Sequence, residues 1–448
     1  MSGLLNININ DQNHTDSIKG VKVLITEHNN RDKVIRTVTT DNFGQANNIE
    51  LSSSENRYSG SPYKKYDLVI QVPPIPGRYD YQQEYIKSGV QIWDGKVTVN
   101  QDELVQINQL KNITGESRGD VIEIPENSIV RPEESNYQDP LGIPDPDPYN
   151  PNWIWSFETE PFIPTEVSIY LGYANPYATA QRIDANKILK ESYKKYLKIV
   201  SSQEFGGIPK LSEQAAIANI LLINSFALNR VYTEIYRNKG YDFTITNSTS
   251  FDQHYPPGGT IFQNLEGLVD EHFRKYIKIQ GKKQPLLAQY CAGSGGSCSN
   301  KGVPQIAMNK LSLSNPNLSY EELLLHYYDL QRIEIEIVTA EIVEGNPKSY
   351  PGYPLQIGMK EDSIKTLQEF LRLIREEKYT IEFPTVEVTG EFDEKTREAV
   401  IVYQNKFEKN KKNKGIVDEA TWYKLSLDYM NITKMNEPNS RFMKAFMY

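Results

Sequence analysis

The chain has 448 residues, of which 38% are hydrophobic and 24% charged. That suggests about three domains and is the composition of a soluble protein with a core large enough for ordinary folding. A formal net charge of −9 leaves no overall basic footprint, so nucleic acid is not an expected partner. The cysteines Cys291 and Cys298 make no disulfide framework: either the fold tolerates a reducing compartment, or it holds one short bridge.

Residues 1–110 alternate apolar and polar positions. Leu5, Ile7 and Ile9 alternate with Asn6, Asn8 and Asn10, and Val21, Val23 and Ile25, then Tyr66, Leu68, Ile70 and Val72, each hold one face. This period predicts an N-terminal antiparallel β-sandwich, with Asp41-Asn42-Phe43-Gly44 as one of its turns. The pattern resembles small transthyretin-like sandwiches, a likeness that implies no chemistry. The N-terminus, MSGLLNININDQ, lacks a basic start followed by an apolar run, so a standard signal peptide is not expected.

Nine prolines fall between Pro125 and Pro164. Proline removes backbone donors and fixes φ, so residues 111–165 are expected to form an extended, protease-accessible linker.

Residues 166–345 read as an α+β domain. Leu189, Tyr193, Tyr196, Leu197 and Val200 are spaced as one helix face, and Glu213 to Arg237 is apolar nearly all round, as a central helix is. Phe262, Leu265, Val269, Phe273 and Tyr276 predict a third helix, and Ser319-Tyr320-Glu321-Glu322 has the form of a capping box. The most apolar run, Ile217 to Leu228, is broken by Asn219 and Asn224 and falls short of the roughly 20 residues that span a bilayer. No membrane partner is expected. Residues 346–432 read as a helical unit with stripes at Leu367/Phe370/Leu371/Ile374, Ala399/Val400/Tyr403/Phe407 and Trp422/Leu425, and with Asp393 and Asp418 as N-caps. Residues 433–448 read as a tail.

Two resemblances add to this. Gly358, Ile364, Leu367-Gln368, Gly390-Glu391-Phe392, Thr396, Ala399-Val400, Tyr403-Gln404, Gly415-Ile416-Val417, Thr421-Trp422 and Leu425 are spaced as in three-helix peptidoglycan-binding domains, except that Thr389 replaces the usual Asp. The middle region resembles lytic transglycosylases of the stage II sporulation protein D family, and more closely spore cortex-lytic enzymes of the SleC type. That likeness is carried by Ser201-Ser202-Gln203-Glu204, by Asn229-Arg230-Val231-Tyr232-Thr233-Glu234, by Phe251-Asp252-Gln253, and by Gln289-Tyr290-Cys291.

The resemblance implies a peptidoglycan lytic transglycosylase. It would be made as a zymogen, activated by a serine protease that cleaves the N-terminal pro-region, and would act on cortex peptidoglycan in the spore during germination. It makes Glu204 the catalytic acid, and Asp252, Gln253, Tyr290, Ser294 and Gly295 substrate contacts. Two departures stand out. The family's arginine is replaced in the run Ile223-Asn224-Ser225-Phe226, and no cysteine occurs from Phe243 to His254. No zinc and no other cofactor is therefore expected, and His254, His272 and His326 show no ligand spacing.

On chemical grounds, cleaving a glycosidic bond needs a proton donor to the leaving oxygen. A transglycosylase can manage with one carboxyl, because the muramic C6 hydroxyl attacks within the same sugar. Competing readings are a non-catalytic wall-binding protein, a muramidase pairing Glu204 with Asp252 or Asp270, and a cysteine peptidase using Gln289, Cys291 and His326.

Overall fold

The computed structural model describes residues 1–11, 17–53, 63–75, 81–103, 121–124, 160–172, 174, 183–293, 298, 302–378, 383–409 and 411–433. Among the described residues the chain is a mixed α/β protein of eight α-helices and six sheets. The Pro-rich stretch 125–159, the glycine-rich residues Ser294 and Gly295, and the tail from 434 lie outside the described residues.

The N-terminal strands are β1 (Ser2–Asn10), β2 (Lys22–Glu27), β3 (Asn30–Thr39), β4 (Gln45–Ser52), β5 (Tyr63–Val72), β6 (Gln83–Trp93), β7 (Val97–Glu103) and β8 (Val121–Glu123). They fall into two sheets that enclose one apolar cluster. The alternation read from sequence is what fills it: Leu5, Ile7, Ile9, Val23, Ile25, Leu68 and Ile70 are all fully buried. The sheets are not purely antiparallel as expected. β7 runs parallel to β1, and β8 runs parallel to β6. Period-two alternation reports which face is buried and says nothing of strand direction.

The middle region adds β9 (Phe162–Pro164), β10 (Glu166–Tyr170), β11 (Ile188–Ser192), α1 (Tyr193–Glu204), α2 (Glu213–Thr233), β12 (Ile245–Thr246), β13 (Ile261–Phe262) and α3 (Gln263–His272). After these come β14 (Lys275–Ile279), β15 (Tyr290–Cys291), β16 (Val303–Pro304), α4 (Gln305–Ser314), α5 (Tyr320–Leu330), β17 (Ile335–Thr339) and β18 (Glu341–Val343). Helix α2 is the central one. It is long and apolar enough to cross a membrane, yet 94% of its most apolar window is buried inside the protein. The capping box forms at Ser319, whose side chain accepts from Glu322 N while Glu322 accepts from Ser319 N.

Three expectations are corrected. Leu189 belongs to β11 and Tyr276 to β14, so neither continues the helix whose spacing it keeps. Ser192 caps α1 through its side chain, and α3 ends at His272. The stretch expected as linker contributes strands at both ends, β8 joining the second sheet and β9 pairing with β18. Val121-Ile122 and Phe162-Ile163 are the apolar pairs that make this possible.

The N-terminal strands are joined directly to the middle region. β13 pairs antiparallel with β7, Ile261 opposite Val99 and Phe262 opposite Thr98. Trp93 packs edge-on against Phe262 at 5.7 Å and belongs to the same apolar cluster as α1 and α2.

The C-terminal helices are α6 (Asp362–Lys378), α7 (Glu394–Phe407) and α8 (Glu419–Thr433). Their expected stripes are buried apart from the half-buried Phe407, and Asp393 and Asp418 accept from the backbone amides of Thr396 and Thr421. Their apolar cluster continues into the middle region through Tyr170, Ile235, Tyr236 and Phe243. Glu234, in the left-handed region with φ 46° at the end of α2, accepts from Ser349 N at 3.1 Å and Tyr423 Oη at 3.3 Å.

Candidate active site

Glu204 is the last residue of α1. The helix ends there because Phe205 leaves the helical region, with φ −134° and ψ −10°, and two glycines follow. Gly206 is required by a close approach: a Cβ at that position would stand 2.5 Å from the Phe262 ring. Three bonds hold this helix end. Ser202 Oγ accepts from Phe262 N at 3.0 Å, Gln203 Nε2 donates to Thr260 O at 3.1 Å, and Lys96 Nζ from the N-terminal strands donates to Gly206 O at 2.7 Å.

The Glu204 side chain is half-buried. Its Oε1 accepts from the backbone amide of His254 at 2.7 Å. The Tyr290 hydroxyl also bonds to this carboxylate. Burial, and next the Glu204 charge, push the Tyr290 phenol well above its ordinary value, so it remains a proton donor through the neutral range. Gln253 orients it. Gln253 Nε2 donates to Tyr290 Oη at 3.1 Å and to Ile223 O at 3.1 Å, while its Oε1 accepts from Tyr196 Oη at 2.8 Å. Tyr196 in turn stacks on Tyr255 at 5.3 Å, and Tyr255 Oη donates to Glu191 Oε2 at 2.7 Å.

Glu204, Gln253 and Tyr290 are thus brought together, with Gln253 1% exposed and occupied by internal bonds. Its place is behind Tyr290, where it positions the ring. Asp252 is not placed as a substrate contact either. Its buried carboxylate accepts from Arg230 Nε at 2.7 Å, Tyr236 Oη at 2.6 Å, Thr246 N at 2.9 Å and Thr246 Oγ1 at 2.8 Å. A fully buried ion pair saturated by donors holds the loop from Thr246 to Asp252 against α2. Ser294 and Gly295 fall outside the described residues, next to the bridge.

Cys291 and Cys298 form that bridge, with Cα atoms 5.8 Å apart. It removes the thiol that a cysteine peptidase would need. Among the described residues, no group of three or more His, Cys, Asp or Glu is arranged to hold a metal ion.

Arg230, Tyr236, Thr246 and the His254 amide take roles that no local sequence signal marks. The burial of Arg230 beside an aspartate 22 residues on is a tertiary fact. No known protein family, curated protein or solved structure matches the chain.

Proposed function

We propose that the chain is a peptidoglycan lytic transglycosylase, with Glu204 as the acid and then the base of the reaction. The observation that carries this reading is the half-buried Glu204 carboxyl, set between the His254 amide and the Tyr290 phenol. The Glu204 proton passes to the O4 leaving group as the bond to the muramic C1 breaks. The carboxylate left behind has two donors ready to stabilise it. It then takes the proton of the C6 hydroxyl while O6 bonds to C1, closing the 1,6-anhydro ring. The muramidase reading loses support because both candidate second carboxylates are engaged in ion pairs. Asp252 is taken up by Arg230, and Asp270 is paired at 3.3 Å with Lys194 and 3.0 Å with Lys198.

The wider proposal follows the resemblance. The substrate is spore cortex peptidoglycan, the C-terminal helices are a peptidoglycan-binding domain, and the transthyretin-like N-terminal part belongs to a zymogen cut by a serine protease. Glu204→Gln tests the centre of this reading. Wild-type protein should release muropeptides with 1,6-anhydro ends from cortex sacculi, and the variant should be slower by about 10²- to 10⁴-fold. Products heavier by one water would assign a hydrolase. A folded variant with undiminished lysis would remove Glu204 from the chemistry.

A further inference from the structure

The amides on the outer face of β1 take no part in the site around Glu204. Asn8 stands in register with Gln45 of β4 on one side and Gln101 of β7 on the other, so three amide side chains cross three adjacent strands on one face. Asn10 follows on the same face. A groove of about 390 Å³ lies between this row and α1, with Phe43 and Lys198 also lining it. That volume lies within the roughly 300–1,000 Å³ of small-molecule sites.

The row offers hydrogen-bonding atoms of both kinds. Asn8 Oδ1 is buried and unpartnered, a state that is uncommon and destabilising unless a donor from outside meets it. Gln45 Oε1 accepts from Asn47 Nδ2 at 2.9 Å, which leaves the Gln45 amino group for an acceptor. Gln101 Nε2 donates to Glu266 Oε1 at 2.8 Å, which leaves the Gln101 carbonyl oxygen for a donor. Adjacent sugar hydroxyls and an acetamido group are donors and acceptors at once and match this alternation.

Charge argues against an anion. Lys198 is the cation among these lining residues, and its Nζ already lies 3.1 Å from Glu266 Oε1 and 3.0 Å from Asp270 Oδ2. Phe43 is 70% exposed at the turn before β4, where its amide donates to Asp41 Oδ1 at 2.8 Å. An exposed ring beside a row of amides suits the C–H face of a pyranose, which is apolar on that side and hydroxylated at its edge.

We propose that this groove binds a neutral glycan built of N-acetylated sugars. It is a site separate from Glu204, since Lys198 precedes Glu204 by six residues on α1. That places it about 9 Å along the axis and roughly a third of a turn around the helix. The groove can therefore hold one strand while Glu204 works on another, and its binding does not rest on Glu204 being catalytic.

The test uses the full chain and a photoreactive N-acetylglucosamine tetramer, with cross-linked peptides mapped by mass spectrometry. Label should appear on peptides from β1, the Asp41–Gly44 turn and β7. The double variant Phe43→Ala/Gln45→Ala should lower that label about tenfold, as loss of one stacked ring and one hydrogen bond predicts. Label elsewhere and cortex lysis in dilute suspension should be unchanged. Glu204→Gln should label the groove like wild type, so failure of the catalytic reading and failure of this one are told apart. No label at the groove, or equal label in the double variant, overturns the proposal. So does displacement by a neutral Asn-rich peptide but not by the unmodified tetramer.

Discussion

Tyr290 has two partners with opposite effects on its proton. Gln253 donates to its oxygen and favours the ionised phenol, while burial and the Glu204 charge oppose ionisation and prevail. In the proposed reaction it would therefore act as a neutral hydrogen-bond donor to the Glu204 carboxylate. Tyr290→Phe should lower kcat by about tenfold, the worth of one such bond. KM should stay as it is, and an unchanged kcat would show that the phenol takes no part in the reaction. The sequence made Glu204 legible as a carboxyl at a helix end before two glycines. It could not reveal the His254 amide or the Tyr196–Gln253–Tyr290 chain, because these partners lie 37 to 57 residues apart along the chain. The Arg230–Asp252 pair is hidden from the sequence for the same reason. Whether a carboxylate faces a groove or an arginine depends on how distant loops pack.

At the scale of elements, the C-terminal motif has a plain physical meaning. Gln368 Oε1 accepts from Thr389 N and Gly390 N, both at 2.9 Å, and its Nε2 donates to Glu391 O at 2.9 Å. Gln404 repeats the arrangement one helix later, accepting from Gly415 N at 2.8 Å and donating to Ile416 O at 2.7 Å. Gly390 and Gly415 both need positive φ, 80° and 87°, which glycine adopts without the steric penalty other residues meet. Each glutamine thus clamps the turn that leads into the next helix. Gln404→Ala would leave a buried amide and carbonyl unmatched and should loosen the α7–α8 turn by about 1–3 kcal/mol. Faster hydrogen exchange at Gly415 with unchanged exchange at Gly390 is the expected result, and equal protection at both glycines would show that the clamp carries no weight. Long periodic segments of this kind were legible. The errors came at junctions. Leu189 and Tyr276 keep helical spacing with their neighbours by coincidence, and two-residue strands such as β12, β13 and β15 exist only because a partner strand lies beside them.

At the scale of the molecule, the boundaries suggested by composition are not boundaries of packing. The N-terminal sheet takes β13 as its edge strand, Trp93 and Tyr63 lie in the apolar cluster of the middle region, and Lys96 holds the carbonyl two residues beyond Glu204. The C-terminal helices share a cluster with Tyr236 and Phe243. A protease acting anywhere between Ile124 and Glu160 would sever the backbone and break none of these contacts. After such a cut the two pieces should co-elute from gel filtration in native buffer and part only in denaturant; two separate native peaks would show that the shared strand does not hold them. A chain opened in this way would stay a two-chain assembly, with the N-terminal strands still gripping the end of the helix that carries Glu204.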